Sequence, residues 1–550
     1  MELTGGQAMA RQLALEGVEV VFGLPGVQLD YAVDGLASKA PEIRFIATRH
    51  EQATTYMADG YSRASGKPGV AMVVPGPGVL NSLAGIATAW ASGSRVLLIA
   101  AQIPSPLIGQ TRGVLHEIPD QTAVLRTLTK WTGLASRPED VPGVVREGFA
   151  QLTSGRPRPV AVELPPDVLA GEGQVELATP VAAPPLPEPD GTLVERAARL
   201  LAEARFPVIH VGGGVISSGA APAVVELAER LQAPILKSSF GHSAIDDRHP
   251  LVVPTQQSAA ILGRADVVLV VGSRFLTRSG GTMPVREGAR LVGLNLDRHD
   301  LGPPRAFDLE LIGDARAGVS ALLAALPSWW APDGAAAEQR REAVAAARAD
   351  AQADLEALEP QMSWVRALRA GLPDDGVVLN DLTQVGFVAE LGFEARDPHS
   401  FVTAGYQGTL GYGFPTALGF KVGAPDRQVV ALCGDGGFGY ALQELSTARR
   451  ERIGVTVMLF VDDWYGNVRR TQKEDFDGRF LGVTLGNPDF VALARAYGIE
   501  ASRIDAPGDL TRILHERRGA TDPALVVIPQ GEVPSPWPQI LWARKAAAAI

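Results

Sequence analysis

Cysteine is almost absent: the 550 residues include one, Cys433. A single thiol forms no intrachain disulfide and no thiolate metal cluster, which suits a reducing cytoplasm, and Cys433 itself reads as core filler. Aromatic residues make up only 6% and charged residues 20%. Basic charge is not in excess. With 50 Lys and Arg against 61 Asp and Glu, the formal charge is −11, so the footprint of a nucleic-acid binder is missing. Long apolar runs are missing too: the strongest, 96–101 and 267–271, are strand-sized, well short of the roughly 18–20 residues that cross a bilayer. The opening MELTGGQAMARQLALEGVEV lacks a basic segment followed by an apolar stretch and a small-residue cleavage site, so it does not read as an export signal. The expectation is a cytoplasmic protein with neither nucleic-acid nor membrane partners.

What the chain does hold is 46% apolar residues, 60 Gly and 41 Pro. Short β-branched runs alternate with Ala/Leu/Glu/Arg-rich amphipathic stretches, the pattern of βα units around parallel sheets. The expected fold class is α/β, with three doubly wound parallel-sheet domains. Two segments interrupt the rhythm: LATPVAAPPLPEP at 177–189, and the polar, Ala-rich stretch 331–359. Both read as linkers, the second partly helical. They divide the chain into domains of residues 1–180, 190–330 and 360–550. In the middle piece, predicted strands run into Gly212, Gly213 and Gly214, into Gly272, Ser273 and Arg274, and into Asp297. Such strand ends are where open α/β sheets bind ligands, although tight turns alone would look the same.

The segment 428–470 carries the most chemistry. It reads as a buried strand (QVVALC), a turn (GDGGFG), an amphipathic helix (ALQELSTARRER), a second buried strand (VTVMLFV) and then DDWYGN. Gly434, Gly436 and Gly439 satisfy G-x-G-x-x-G after a strand, and an acid ends the next strand, as a dinucleotide fingerprint requires. An NAD(P)-dependent dehydrogenase is therefore one reading. Asp435 argues for another. Inside the glycine turn its carboxylate would repel phosphates unless a divalent cation lay between them, and Mg²⁺ takes one or two carboxylates together with phosphate oxygens. Asp462, 27 residues on, ends the adjacent strand, so two parallel strands bring two acids to one sheet edge. A helix starting near Gly437 would add free amide donors for a diphosphate.

G-D-G followed about 27 residues later by an Asn or Asp and then Tyr-Gly resembles the signature of thiamine diphosphate enzymes. The resemblance implies Mg²⁺ bound by Asp435, Asp462 and the backbone carbonyl of Trp464. It places the amides of Gly436 and Gly437 near the diphosphate and includes Tyr465 and Gly466 in the cofactor site. The family usually has Asn where Asp462 stands, and often another where Val461 stands. In the first domain, RHEQATTYMADGYSRASGKPGVAMVVPGPGVLNSLAGIATAW looks like the amino-terminal, pyrimidine-binding domain of acetolactate synthases and their relatives. That likeness makes Glu51 the catalytic glutamate: a carboxylate against the pyrimidine nitrogen favours the tautomer whose imino group takes the thiazolium proton. His50 is expected to point the other way and pack. Gly76, Pro77 and Gly78, followed by Asn81, match the family's S-G-P-G turn, and Gly26 lies in the FGLPG turn; both approach the cofactor by the same likeness.

In the third, diphosphate-binding domain, YQGTLGYGFPTALG resembles the family's G-T-M-G-F-G-L-P-A-A run. This gives the Gly408 carbonyl and the Leu410 amide to the aminopyrimidine and makes the Leu410 side chain the wedge that bends the cofactor. NDLTQ resembles D-V-G-Q, placing Thr383 and Gln384 near the diphosphate. Because the family builds each site from two chains, the likeness implies a homodimer or homotetramer, with Glu51 of one subunit facing Asp435 of another. The middle domain resembles the synthase flavin domain at VGGGVISSG, GSRF and LNLD, but LVVPTQQSA stands where synthases carry Gly-Met-His-Gly. That departure counts against FAD while leaving a flavin or another adenine nucleotide open.

The likeness implies a 2-oxo acid substrate, loss of CO₂ and then protonation or addition to a second carbonyl. Gln28 and Asp30, which follow the FGLPG turn, are expected in the substrate lining, and His116 with Glu117 stands where synthases show F-Q-E, which makes His116 a candidate for proton transfer near neutral pH. Where synthases carry a Trp that shapes the second-substrate pocket, this chain has Thr471, so the expected activity is lyase or carboligase rather than true acetolactate synthase. Arg469, Arg470 and Lys473 are candidates to pair with a substrate anion, or are simply solvated. Two rival readings stand: the dehydrogenase, which leaves Glu51 unexplained, and a catalytically silent homologue.

Overall fold

The structure, a computed structural model, describes residues 1–541 except 40, 183, 278–279 and 328–329. Residues 542–550, counted above with the third domain, lie outside that set. Val96–Ala101, Val267–Val271 and Val455–Val461 are strands buried along nearly their whole length, because helices cover both faces, as a parallel sheet requires. Three such sheets form. The first runs, in spatial order, Arg44–Ala47, Val20–Gly23, Gly69–Val73, Val96–Ala101, Val160–Leu164 and Thr132–Leu134. The central one runs Ile235–Lys237, Pro207–Val211, Val267–Val271, Arg290–Asn295 and Leu309–Ile312. The third runs Phe401–Thr403, Val377–Asn380, Val429–Gly434, Val455–Val461, Ala524–Pro529 and Glu500–Arg503.

Numbered along the chain within each sheet, the first and third share the order 2-1-3-4-6-5, and the central sheet is 2-1-3-4-5. In all three the winding reverses between strands one and three. Loops leaving those two strands diverge there and open a crevice at the carboxyl edge, where doubly wound sheets take their ligands.

The first and third sheets are joined through two helices, Glu51–Ser65 and Gly413–Gly423, whose side chains share one apolar cluster. Glycine permits their close crossing. A Cβ on Gly419 would lie 1.9 Å from the Met57 carbonyl oxygen, and one on Gly60 would lie 2.1 Å from that of Thr416. Beside the crossing, Arg63 pairs with buried Asp59 at 3.0 Å and donates to the Thr403 carbonyl and the Tyr412 hydroxyl. Gly419→Ala is expected to destabilise by about 1–3 kcal/mol, because backbone faces backbone and no side chain can swing away. Calorimetric unfolding checks this; an unchanged midpoint would mean that the helices part at no cost.

The two interruptions in the sequence rhythm behave differently. In the first, residues 177–182 and 184–189 carry no regular structure and are mostly exposed. Gly334–Glu356 is instead one 23-residue helix. It is a packed element: Ala343, Val344 and Ala347 join Phe206, Leu236 and Ile261 in a central core, and buried Arg340 donates to the carbonyls of Arg205, Leu231 and Gln232. Alanines make that face so shallow that its apolar stripe is faint in sequence.

Candidate active site

At the switch point of the third sheet, the strand Val429–Gly434 runs directly into a helical turn, Asp435–Phe438. The helix expected near Gly437 thus begins at Asp435 and lasts four residues. The amphipathic stretch after it divides into a 3-10 turn, Leu442–Glu444, and a helix, Leu445–Glu451.

Asp435 is only 4% exposed. Its Oδ1 accepts from the Gly436 amide at 2.9 Å, and its Oδ2 accepts from the amides of Asp462 (3.2 Å) and Asp463 (2.8 Å) and from Asn487 Nδ2 (2.7 Å). Asp462 Oδ1 accepts from the Trp464 amide at 2.9 Å. Burial holds the Asp435 carboxyl above its ordinary range; burial, and then the charges of Asp435 and Asp463, raise Asp462 to about 6. Asp435 is met by neutral donors alone, so two raised carboxyls share one edge. Two carboxyls so placed could serve a hard divalent cation, whose charge would favour their ionised form. Among the described residues no cluster of three or more His, Cys, Asp and Glu is arranged to hold a metal alone, so further ligands would be a carbonyl such as that of Trp464 and ligand oxygens.

Glycines shape the hollow beside this pair. A Cβ on Gly436 would lie 2.9 Å from the Tyr465 ring, and one on Gly437 3.0 Å from Asp381 Oδ2. On Gly466 it would meet Asp462 Oδ2 at 2.8 Å and Gln384 Nε2 at 3.1 Å, and on Gly434 it would meet Thr383 at 3.1 Å. The structure therefore brings Thr383, Gln384, Gly436, Gly437, Tyr465 and Gly466 around the two acids. Gly408 (φ 57°) and Gly411 (φ 77°) form a turn only glycine makes readily, with Leu410 half-buried between them. Asp381, not singled out in sequence, lies beneath this turn. It accepts from the amides of Leu382 (2.8 Å) and Gly413 (3.2 Å), and burial pushes its carboxyl to about 6.

Thr471 sits on the helix Gly466–Asp475, where its hydroxyl donates to the Asn467 carbonyl at 3.3 Å. The nearby cations, candidates for a substrate anion, are engaged within the chain. Arg469 stacks on Trp464 with its guanidinium 3.9 Å from the ring centre, Arg470 pairs with Glu474 at 2.6 Å, and Lys473 pairs with Glu532.

The second group of sequence-predicted residues meets at the switch point of the first sheet. Cβ atoms on Gly26 and Gly78 would both strike Val74, at 2.5 and 2.7 Å, so both loops close on one residue. Asn81 Nδ2 donates to Glu51 Oε2 at 3.1 Å. His116 Nδ1 lies 3.1 Å from Gln28 Oε1, and the His116 carbonyl packs against Gly76, whose Cβ would meet it at 2.2 Å. Glu117 braces this loop by accepting from the amides of Gly113 (2.6 Å) and Val114 (3.1 Å). His50, expected to point the other way and pack, is half-buried. It caps the Glu51 helix, its Nδ1 accepting from the Gln52 amide at 3.2 Å.

Residues just beyond Asp435 reach across to this helix. The fully buried Glu444 accepts from the amides of Arg49 and His50, each at 3.0 Å, and the Tyr440 carbonyl accepts from Gln52 Nε2 at 3.0 Å. Sequence reading missed Glu444 because a lone acid in an amphipathic stretch looks solvent-facing; Asn487 carried no signal at all.

Two switch points on sheets of one topology, one holding Glu51 and the other a pair of acids, invite comparison with known enzymes. The chain matches the models "Thiamine pyrophosphate enzyme, N-terminal TPP binding domain" over residues 3–124, "central domain" over 194–322 and "C-terminal TPP binding domain" over 381–528. It is 38% identical over 535 residues to a probable 2-ketoarginine decarboxylase, AruI, of Pseudomonas aeruginosa, covering 95% of this chain and 93% of that protein. The chain belongs to the thiamine pyrophosphate enzyme family.

Other members of the family align as fully. A probable acetolactate synthase large subunit of Methanocaldococcus jannaschii is 33% identical over 547 residues, covering 96% of this chain and 92% of the relative. The acetolactate synthase isozyme 3 large subunit of Escherichia coli is 30% identical over 541 residues, covering 94% and 92%. The protein is thus a thiamine pyrophosphate-dependent decarboxylase or carboligase of acetolactate synthase-like type. The dehydrogenase reading of GDGGFG is corrected: the sheet carrying it has the order 2-1-3-4-6-5, not the 3-2-1-4-5-6 of a dinucleotide-binding sheet.

The central switch point opens into a cavity of about 570 Å³ lined by Gly213, Gly214, Gly272 and Arg274, with Arg95 and Arg156 from the first unit and Tyr406 from the third. Arg274 stacks on Tyr406 with its guanidinium 4.5 Å from the ring centre. No helix among the described residues is long and apolar enough to cross a membrane.

Proposed function

We propose that this protein is a Mg²⁺- and thiamine diphosphate-dependent lyase or carboligase of 2-oxo acids, and not a true acetolactate synthase. The observation that carries the proposal is the Asp435 and Asp462 pair, one buried and one half-buried carboxyl, both raised by their surroundings and met by neutral donors where a hollow lined with glycine begins. When bound, the cofactor supplies a carbanion nucleophile for the 2-carbonyl and an electron sink for the pair left behind as CO₂ departs. Asp435, Asp462 and the Trp464 carbonyl would hold the cation. The amides of Gly436 and Gly437, with Thr383 and Gln384, would take the diphosphate; the Gly408 carbonyl, the Leu410 amide and the Leu410 side chain would take the aminopyrimidine. Glu51, one oxygen steadied by Asn81, would hold a proton at the other for the ring nitrogen. His116, its Nδ1 set by Gln28, would move a proton at Nε2 to or from the substrate.

Thr471 at the position of the synthase Trp supports a substrate other than the pyruvate pair. The relative named for 2-ketoarginine favours a longer 2-oxo acid and protonation after CO₂ loss. We place the domains at residues 1–180, 190–330 and 360–550 and the enzyme in the cytoplasm. It would act as a homodimer or homotetramer with Glu51 of one subunit facing Asp435 of another. Exposed Val27, Tyr31, Leu80 and Leu115 beside one cluster, and Tyr440, Phe480 and Leu481 beside the other, support a second copy, since such apolar patches mark contact surfaces. Three arginines around the central cavity suit the phosphates of an adenine nucleotide; LVVPTQQSA counts against FAD.

The test is mass spectrometry of the small molecules released from the denatured protein, followed by CO₂ release from a 2-oxo acid panel that includes pyruvate and 2-ketoarginine. Thiamine diphosphate, and CO₂ from at least one acid without acetolactate from pyruvate, is the expected result. Cofactor without turnover on any acid would mark a silent homologue; acetolactate would restore the synthase.

A further inference from the structure

We infer that Glu163 and Gln121 act as a positioning wedge that holds the Gly76 turn, and through it Asn81 and Glu51, in register for catalysis. The inference rests on the role of Glu51 proposed above. Glu163 sits near the carboxyl end of Val160–Leu164, an interior strand of the first sheet, opposite Ala100 on one neighbour and Leu134 on the other, and is fully buried. An acid in the run VAVEL, otherwise apolar and buried on all sides, is costly there unless its oxygens are hydrogen-bonded. They are. Oε1 accepts from Gln121 Nε2 (2.9 Å) and Gln102 Nε2 (3.0 Å), and Oε2 accepts from the Thr122 hydroxyl (2.5 Å).

The geometry of Gln121 turns this burial into a function. Its amide nitrogen donates to two acceptors, Glu163 and the Ala101 carbonyl (2.9 Å), so both hydrogens are used. A flipped amide would set oxygen against both acceptors. Glu163 thereby fixes the amide orientation, and Gln121 Oε1 is left facing the Gly76 amide, which donates to it at 2.9 Å. Gly76 has φ 57° and ψ −109° and directly precedes the helix Pro77–Ser92, a conformation that relaxes when its bonds are lost. Five residues on, Asn81 holds Glu51. Gln121 and Thr122 also end the loop that carries His116, so one carboxylate secures both loops of the first half-site. Buried beneath them, Glu163 cannot touch substrate. It acts through Gln121, and a misplacement of about 1 Å at the reacting group lowers rates by about 10²-fold.

The experiment pairs hydrogen–deuterium exchange of the cofactor-free protein with steady-state kinetics. Gln121→Met keeps length and volume but removes the acceptor for Gly76. Exchange of residues 75–82 is expected to quicken by about tenfold, and kcat to fall by about tenfold or more with KM within about twofold. Glu163→Gln is expected to behave like the parent on both readouts. Its oxygen still accepts from both glutamines, while its NH₂ donates to the Thr122 hydroxyl, which donates or accepts equally well. If Gln121→Met does not fold, Gln121→Glu sets oxygen against Glu163 at the same volume, and it too should quicken exchange at 75–82. Parent-like exchange in the Gln121 variant overturns the wedge, as does parent-like kcat despite loosened exchange, or a Glu163→Gln variant as impaired as Gln121→Met. The exchange arm needs no cofactor. Loosening at 75–82 in a protein whose parent turns over no 2-oxo acid would therefore count against the proposed reaction and not against the wedge.

Discussion

Glu51→Gln is expected to lower turnover by about 10²–10⁴-fold, the span over which a positioned acid–base group contributes, while thiamine diphosphate still binds. The substitution keeps the shape of the side chain, so Asn81 retains an oxygen to donate to. The helix start is unaffected, because it is set by His50 and by Glu444 gripping the amides of Arg49 and His50. What is lost is the ability to exchange a proton with a ring nitrogen. Affinity should survive because the groups proposed to hold the cation and diphosphate lie on the third sheet, whereas Glu51 belongs to the first. Thermal-shift titration with thiamine diphosphate and Mg²⁺, alongside CO₂ release, separates the two effects. A Gln variant with near-normal rates would remove Glu51 from the mechanism.

The shared order of the first and third sheets explains why the candidate site could be found from sequence at all. In both, a core of the residues singled out follows strands one and three, Gly26 and Gln28 with Gly76 and Gly78 in the first, Thr383 and Gln384 with Asp435 and Gly436 in the third, while Glu51 and Leu410 follow strand two and Asp462 follows strand four. Strand ends are legible because a buried parallel strand is an unbroken apolar run, and the glycine or acid that stops it stands out. Local conformation was less legible. GDGGFG reads as a loop because glycines disfavour helix, yet the chain turns helical at Asp435, whose carboxylate accepts the next amide and those of a neighbouring strand's end. Least legible were the tertiary partners. Asn487 lies 52 residues from Asp435 and Glu444 lies 394 from His50, and no periodicity records which polar group a distant one will meet. Gln121 and Glu163 were silent for the same reason, although an acid inside VAVEL was a visible anomaly.

Asp435→Ala is expected to abolish saturable binding of thiamine diphosphate with Mg²⁺, a loss well beyond 100-fold, since even groups one step removed from a metal contribute about 10–100-fold. Two effects combine. The carboxylate proposed as a cation ligand disappears, and four donors, the amides of Gly436, Asp462 and Asp463 and the side chain of Asn487, lose their acceptor. The second effect loosens the loop that carries Asp462 and the Trp464 carbonyl, so the remaining ligands lose their places. Asp435→Asn separates the contributions. With its oxygen turned to the three donors on Oδ2 it gives up only the bond from the Gly436 amide and keeps the side-chain volume, so the protein should fold with a thermal midpoint above that of Asp435→Ala, while the missing charge still removes cation binding. Isothermal titration of both variants, with circular dichroism to confirm the fold, is the measurement. If Asp435→Asn folded like the parent and bound the cofactor with the parent's affinity and Mg²⁺ dependence, the two acids would not be a cation site, and the proposed mechanism would lose its anchor.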